Sequence, residues 1–160
     1  SDAHAGLKAA KQAVFPSVPW QRCQFHLQQN AQSYVPKKNM KKEVASDIRA
    51  VFDAPDNDEA TRLLDKTVKK YEQSAPELSA WMEANVPESL TIMAFPKHHR
   101  KKIRTSNIAE RVNRELKRRT RCVGIFSHVD SCLRLVSALA AEMDEEWSVG
   151  RNYIVMADED

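Results

Sequence analysis

The sequence predicts a mainly α-helical chain, and three observations carry that expectation. Its 160 residues include only 3 Gly and 7 Pro, too few for the many tight turns of a sheet-rich fold. Successive segments place apolar residues at all or part of the i, i+3, i+4, i+7 stripe of a helix with one buried face. Between the stripes lie short runs of Asp, Asn, Ser and Pro, the residues that cap or open helices.

Taken in order, residues 2–14 read as a helix, with Leu7, Ala10, Lys11 and Val14 at helical spacing and Pro16 closing the segment. Residues 17–24, with Val18, Pro19 and Trp20, read as one short buried strand, and residues 26–34 as a helix ending before Pro36. Three amphipathic helices follow. Residues 41–52 carry Val44, Ile48, Val51 and Phe52; residues 58–71 carry Ala60, Leu63, Leu64, Val68 and Tyr71; residues 77–85 carry Leu78, Trp81 and Met82. Asp56, Asn57 and Asp58 each suit the N-cap of the second. Pro76 sits near the start of the third, where its missing N–H costs nothing. Residues 86–104 read as irregular. Thr105, Ser106 and Asn107 offer N-caps for a helix whose stripe is Ile108, Val112 and Leu116, and Gly124 ends it. Ser127 with Asp130 resembles a capping box for the last helix. Its seam is Val129, Cys132, Leu133, Val136, Leu139, Ala140, Met143 and Trp147. There is no internal repeat and no low-complexity segment.

Composition narrows the class. Apolar residues make up 42% of the chain, enough for a core, yet no run approaches the roughly 20 apolar residues of a membrane span. The start, SDAHAGL, has neither the charge pattern of a signal peptide nor an initiator Met, so the sequence is expected to be an excised fragment. Cys23, Cys122 and Cys132 are an odd count with no need of disulfides at this length, which points to a reducing cytoplasm.

The net charge of +3 conceals an asymmetry: residues 97–121 hold eleven Lys or Arg and two acids, a local charge of +9, against −6 for the rest. Solvated surfaces usually interleave their signs, whereas a one-sign block suits a phosphate backbone whose counterions it displaces. The plainer readings are a basic linker or an anionic protein partner.

Three constellations could carry chemistry. Glu110 sits early in the helix after Asn107, about 160° from the centre of its apolar stripe and on the same side as Asn113 and Lys117. It could be a capping-box acid paired with Arg114, or a metal ligand; the second role needs a further carboxylate, since hard divalent cations take several oxygen ligands. Asp2 is the natural partner, although an acid before a helix also suits capping and the helix dipole. Cys23 and His26 form half of a zinc site, and none of the other Cys or His residues supplies a well-spaced second pair. The bland alternative is a buried thiol beside a hydrogen-bonded histidine. His98 and His99 most simply join the basic strip.

Three ordered stretches add a resemblance. With SDAHAGLKAA at 1–10, WQRCQFH at 20–26, and TSNIAERVNRELKRRTR at 105–121 followed by VGIF at 123–126, the chain resembles the Mutator-type bacterial insertion-sequence transposases. These are DDE enzymes with a ribonuclease-H-like catalytic fold, and the resemblance reaches to about Gly150. It implies that Asp2 and Glu110 are two of three catalytic acids, with the first Asp upstream. The trio would hold two Mg²⁺ or Mn²⁺ ions for in-line attack on a phosphodiester. Trp20, Cys23 and His26 would be a family signature and not a zinc site.

The implied architecture is a fragment of a ribonuclease-H-like α/β domain with one short strand, an all-helical insertion and two C-terminal helices. Residues 1–26 and 97–150 would belong to the catalytic core, 27–96 to the insertion and 151–160 to a tail. Arg104, Arg111, Asn113, Arg114, Lys117 and Arg118 would contact DNA, the arginines with bidentate phosphate contacts. One departure is Ser127, where Pro is expected after VGIF; Ser caps a helix well. The expected partners are double-stranded DNA (element ends and target) and further copies of the chain, through apolar surface at Ile108, Val112, Leu133 or Val136. The expected setting is the bacterial cytoplasm, with the nucleoid and no membrane. The fragment alone would be inactive. The rival readings are a non-catalytic helical DNA-binding or regulatory module and a zinc-stabilised interaction domain.

Overall fold

The computed structural model describes residues 2–150, and among them every regular element is helical. The tail expected at 151–160 lies outside the described residues. The chain divides into two compact units at Ser106. The first contains α1 (Ala5–Val14), α2 (Gln24–Ala31), α3 (Lys41–Phe52), α4 (Asn57–Tyr71), α5 (Pro76–Asn85) and α6 (Lys97–Ile103), with 3-10 turns at Gln32–Tyr34, Lys38–Met40, Val86–Ser89 and Thr91–Ala94. The second contains α7 (Asn107–Val123) and α8 (Val129–Val149).

The core of the first unit follows from its stripes. α3 buries Val44, Ile48, Val51 and Phe52; α4 buries Ala60, Leu64, Thr67 and Tyr71; α5 buries Leu78 and Met82. Leu27 and Ala31 of α2, together with Val86 and Ile92, join the same cluster. Local chemistry sets the ends: Asp56 accepts from Glu59 N at 2.9 Å as the N-cap of α4, and Pro76 occupies the first turn of α5. Two polar side chains inside this core are satisfied by backbone carbonyls. Thr67 Oγ1 donates to Leu63 O at 2.8 Å, and Ser79 Oγ donates across to Val68 O at 2.8 Å. Tyr71 donates its hydroxyl to Asp47 Oδ2 at 2.7 Å, and Lys70 binds Asp47 at 2.6 Å and Glu43 at 2.7 Å, so two carboxylates of α3 tie it to α4.

Several expectations are corrected. The short strand near Trp20 is absent among the described residues. Cys23 has extended backbone, but Arg22 N donates to Glu88 O at 2.9 Å and Gln24 N to Arg104 O at 3.0 Å. Only residues 22–24 of the segment are buried, Val18 is exposed beside the turn at Pro16, and the amides of Arg22 and Gln24 are taken by Glu88 and Arg104 and not by a ladder. α2 begins two residues earlier than expected, and α1 begins at Ala5, where His4 and not Asp2 is the N-cap: His4 Nδ1 accepts from Gly6 N at 3.1 Å. Residues 86–104 are not irregular but form two 3-10 turns and α6. The N-cap of α8 is His128, not Ser127, with His128 N donating to Ser131 Oγ at 3.4 Å. α7 ends as expected at Gly124, whose φ of 76° favours a residue without Cβ.

Candidate nucleic-acid interface and acidic residues

Within the second unit, α7 presents one continuous polar face. Glu110, Asn113, Arg114, Lys117, Arg118 and Arg121 line a shallow groove of about 700 Å³. The cause is helical geometry: these residues recur at three- and four-residue steps, opposite Ile108, Val112 and Leu116. The arrangement sets one half-buried carboxylate beside four cations and one amide. The helix begins at Asn107, so Glu110 is its fourth residue.

Not all of the cations are equally available. Arg118 donates through Nε and Nη2 to Glu115 at 2.9 and 2.6 Å, and Arg119 donates through Nε to the same carboxylate at 2.9 Å. Hydrogen bonds from Arg118 and then Arg119 hold the Glu115 carboxyl down to about 2. Arg111, at the edge of the face, lies 3.9 Å from Glu146 of α8, an exposed and loose contact.

Within the first unit, Asp2 precedes α1 and is exposed; its Oδ1 accepts from Ala3 N at 2.8 Å and lies 4.0 Å from His26 Nδ1. His26 also meets Phe25 edge to face, with centroids 5.4 Å apart. Asp2 and Glu110 are both hard oxygen donors, the ligand type that Mg²⁺ and Mn²⁺ prefer over the thiol and imidazole of Cys23 and His26. Within each unit, no three His, Cys, Asp or Glu side chains among the described residues cluster closely enough to hold a metal by themselves.

The WQRCQFH stretch forms a clasp. Gln21 Nε2 donates to Ser89 O at 2.9 Å while Gln21 Oε1 accepts from Ile92 N at 2.7 Å. Arg22 Nη1 donates to Asn85 Oδ1 at 2.6 Å, and its guanidinium lies 5.6 Å from the Trp81 ring centroid. Gln24 Nε2 donates to Ser89 O at 3.1 Å, and Thr91 Oγ1 to Trp20 O at 2.7 Å. Burial pushes the Cys23 thiol up, but hydrogen bonds involving His26, Ser106 and Phe25 leave it below its ordinary value. The signature thus binds the turns that follow α5 to the residue that precedes α7.

Of the expected DNA contacts, the structure groups Asn113, Arg114, Lys117 and Arg118 with Glu110. Arg104 belongs elsewhere: it is the C-cap of α6 and pairs with Asp53 at 3.0 Å in the first unit. Sequence reasoning missed Lys97 and Lys101, which share a groove with Arg104; their spacing in KHHRKKIR was the available signal. It also missed Glu115 as the acid that engages Arg118 and Arg119, although i+3 and i+4 spacing foretells it.

The sequence profile described as transposase, Mutator family, matches residues 1–150. A transposase for insertion sequence element IS406 from Burkholderia multivorans is 55% identical over 154 residues, covering 96% of this chain and 40% of the relative. A transposase for insertion sequence element ISRM5 from Rhizobium meliloti is 40% identical over 99% of this chain and 39% of its own length. A transposase for insertion sequence element IS1081 from Mycobacterium tuberculosis is 36% identical over 96% of this chain and 37% of its own length. The chain therefore spans about two-fifths of the length of these curated relatives.

Proposed function

The chain belongs to the Mutator family of transposases, and from that premise we propose that it is part of the catalytic domain of an insertion-sequence transposase of the DDE type. The parent protein cleaves and joins DNA phosphodiesters at element ends and target. The observation that carries the reading is the α7 face, where Glu110 shares a groove with Asn113, Arg114, Lys117 and Arg121. A solvated helix would interleave its charges; this face sets a single carboxylate among phosphate-binding groups.

In this reading Asp2 and Glu110 hold Mg²⁺ or Mn²⁺ together with a third acid outside these 160 residues. The chemistry such a pair of ions would supply, held by these carboxylates, is Lewis-acid activation of a water or DNA 3′-hydroxyl and stabilisation of the leaving oxygen. The chain's own residues do the rest. Arg114 and Lys117 hold the phosphates on either side of the reacting one and keep the backbone in register. Asn113 donates to a phosphate oxygen without adding charge. Arg111 and Arg118 widen the contact once released from Glu146 and Glu115. Residues 1–26 and 97–150 belong to a ribonuclease-H-like core whose sheet needs strands from the rest of the protein, and 27–96 form its helical insertion. Within the first unit, the clasp of Gln21, Arg22 and Gln24 ties the WQRCQFH stretch to the end of α5 and the turns that follow it. The setting that fits is the bacterial cytoplasm, on the nucleoid.

Replacing Asp2 tests the acidic set. In the full-length parent, Asp2→Asn should abolish Mg²⁺-dependent cleavage of an element end while leaving duplex binding within about twofold, since neutralising a ligand carboxylate adds no repulsion to phosphate. Cleavage at the wild-type rate would remove Asp2 from the metal site.

A further inference from the structure

We propose that the groove between α6 and the turn after α3 is a second DNA-backbone site, which takes a phosphodiester on Lys97, Lys101 and Arg104. The inference rests on the reading of the chain as a DNA transposase, but on no residue of α7.

Lys97, Arg100, Lys101 and Arg104 fall at i, i+3, i+4 and i+7, so one face of α6 and its C-cap carries four cations. That face lines a groove of about 590 Å³ whose floor is Phe52, Ala54, Pro55 and Ile92. The four cations do different work. Arg100 donates to Phe95 O at 2.7 Å, Pro55 O at 2.8 Å and Met93 O at 2.9 Å, so it braces α6 against the turn and sets the groove's width. Lys97 and Lys101 are exposed, and no ion pair among the described residues engages either. Arg104 is paired only with Asp53, whose side chain is 64% exposed, a contact that an incoming phosphate can displace.

Three available cations therefore face one solvated carboxylate across a concave surface, and α6 itself contains no acid. The apolar floor is suited to deoxyribose and the cationic wall to the phosphate beside it. A sequence-independent backbone contact needs this pairing and no more.

The test is the salt dependence of mixed-sequence duplex binding by the 160-residue chain, read by fluorescence anisotropy. The paired change Lys97→Gln and Lys101→Gln should flatten the slope of log K against log salt by about 1.8, roughly 0.9 for each phosphate no longer neutralised. The same charge removed at the exposed Lys37 and Lys38, beyond the opposite end of α3, should leave the slope unchanged. Asp53→Asn should tighten binding more than Asp65→Asn on the outer face of α4, because only the former releases Arg104. Equal slopes for the two lysine pairs would overturn the inference. A slope that falls with Arg114→Ala but not with the α6 pair would sink this site and keep the α7 reading. A wild-type chain that does not bind duplex would sink both.

Discussion

Glu115 governs how much of the α7 charge is available to a ligand. It lies on the same helix as Glu110 but accepts from two arginines at once, and those donors keep it ionised to about pH 2 against an ordinary value of 4.5. A carboxyl lowered in this way contributes above its unfolded value and loses that contribution as pH falls through about 2, so the pair persists across the neutral and mildly acidic range. Arg118 and Arg119 are exposed, and their attachment to Glu115 competes with attachment to phosphate. Glu115→Gln should therefore steepen the salt slope of duplex binding by about 0.9 for each arginine released. Titrations at several salt concentrations measure this directly; an unchanged slope would mean that Arg118 and Arg119 stay off the DNA.

At the scale of elements, the α3–α4 pair is held by packing and by Asp47. Burial first, then the hydrogen bond to Asp47, raises the Tyr71 hydroxyl to about 12. Its neutral form is favoured in the folded chain, so the contribution is full below about pH 10 and is lost as pH rises through about 12. Lys70 is also raised, chiefly by hydrogen bonds to Asp47 and Glu43, and loses its contribution in the same direction. Tyr71→Phe should cost about 1 kcal/mol at neutral pH, the worth of one hydrogen bond. It should also reduce the loss of stability between pH 10 and 12. Urea unfolding at about pH 7 and about pH 11 checks both parts, and a variant with undiminished alkaline sensitivity would assign that sensitivity to Lys70.

These elements also show what the sequence could and could not reveal. α3, α4 and α5 were legible to within a residue because stripe, cap and proline agree at each. The strand expected at 17–24 is missing among the described residues because its apolar residue Val18 lies exposed after the turn at Pro16, and the buried part is the polar stretch 22–24. Arg22 and Gln24 are buried, but their amides are taken by Glu88 and Arg104. α6 was invisible because KHHRKKI has no apolar stripe; Arg100 and the turn carbonyls stabilise it through contacts distant in sequence. The same asymmetry applies to function. The α7 face could be read from helical angles alone, whereas the partners of Arg104 and the clasp at Gln21 join residues 51 and 68 positions apart.

On the scale of the whole molecule, two features outlast local packing. No helix among the described residues is long and apolar enough to cross a membrane. In the second unit, large apolar side chains remain exposed: Leu133 at 55%, Val129 at 75% and Ile125 at 90%. Val112 and Val136 are half-buried, so of the four residues expected to be exposed, Ile108 and Leu133 are the open ones. Apolar surface gathered on one element pair invites contact. Light scattering should show concentration-dependent self-association, reduced by Leu133→Asp; a monodisperse monomer at every concentration would contradict this role for the apolar surface.

Glu110 is proposed as a catalytic carboxylate set among phosphate-binding residues. The direct measurement is cleavage and strand transfer by the full-length parent with Mg²⁺ or Mn²⁺, comparing wild type with Glu110→Gln while duplex binding is followed in parallel. Glu110→Gln should bind DNA as well as wild type while cleavage vanishes. Cleavage at the wild-type rate would make Glu110 a structural residue of the helix and leave the α7 face a DNA-binding surface without catalysis.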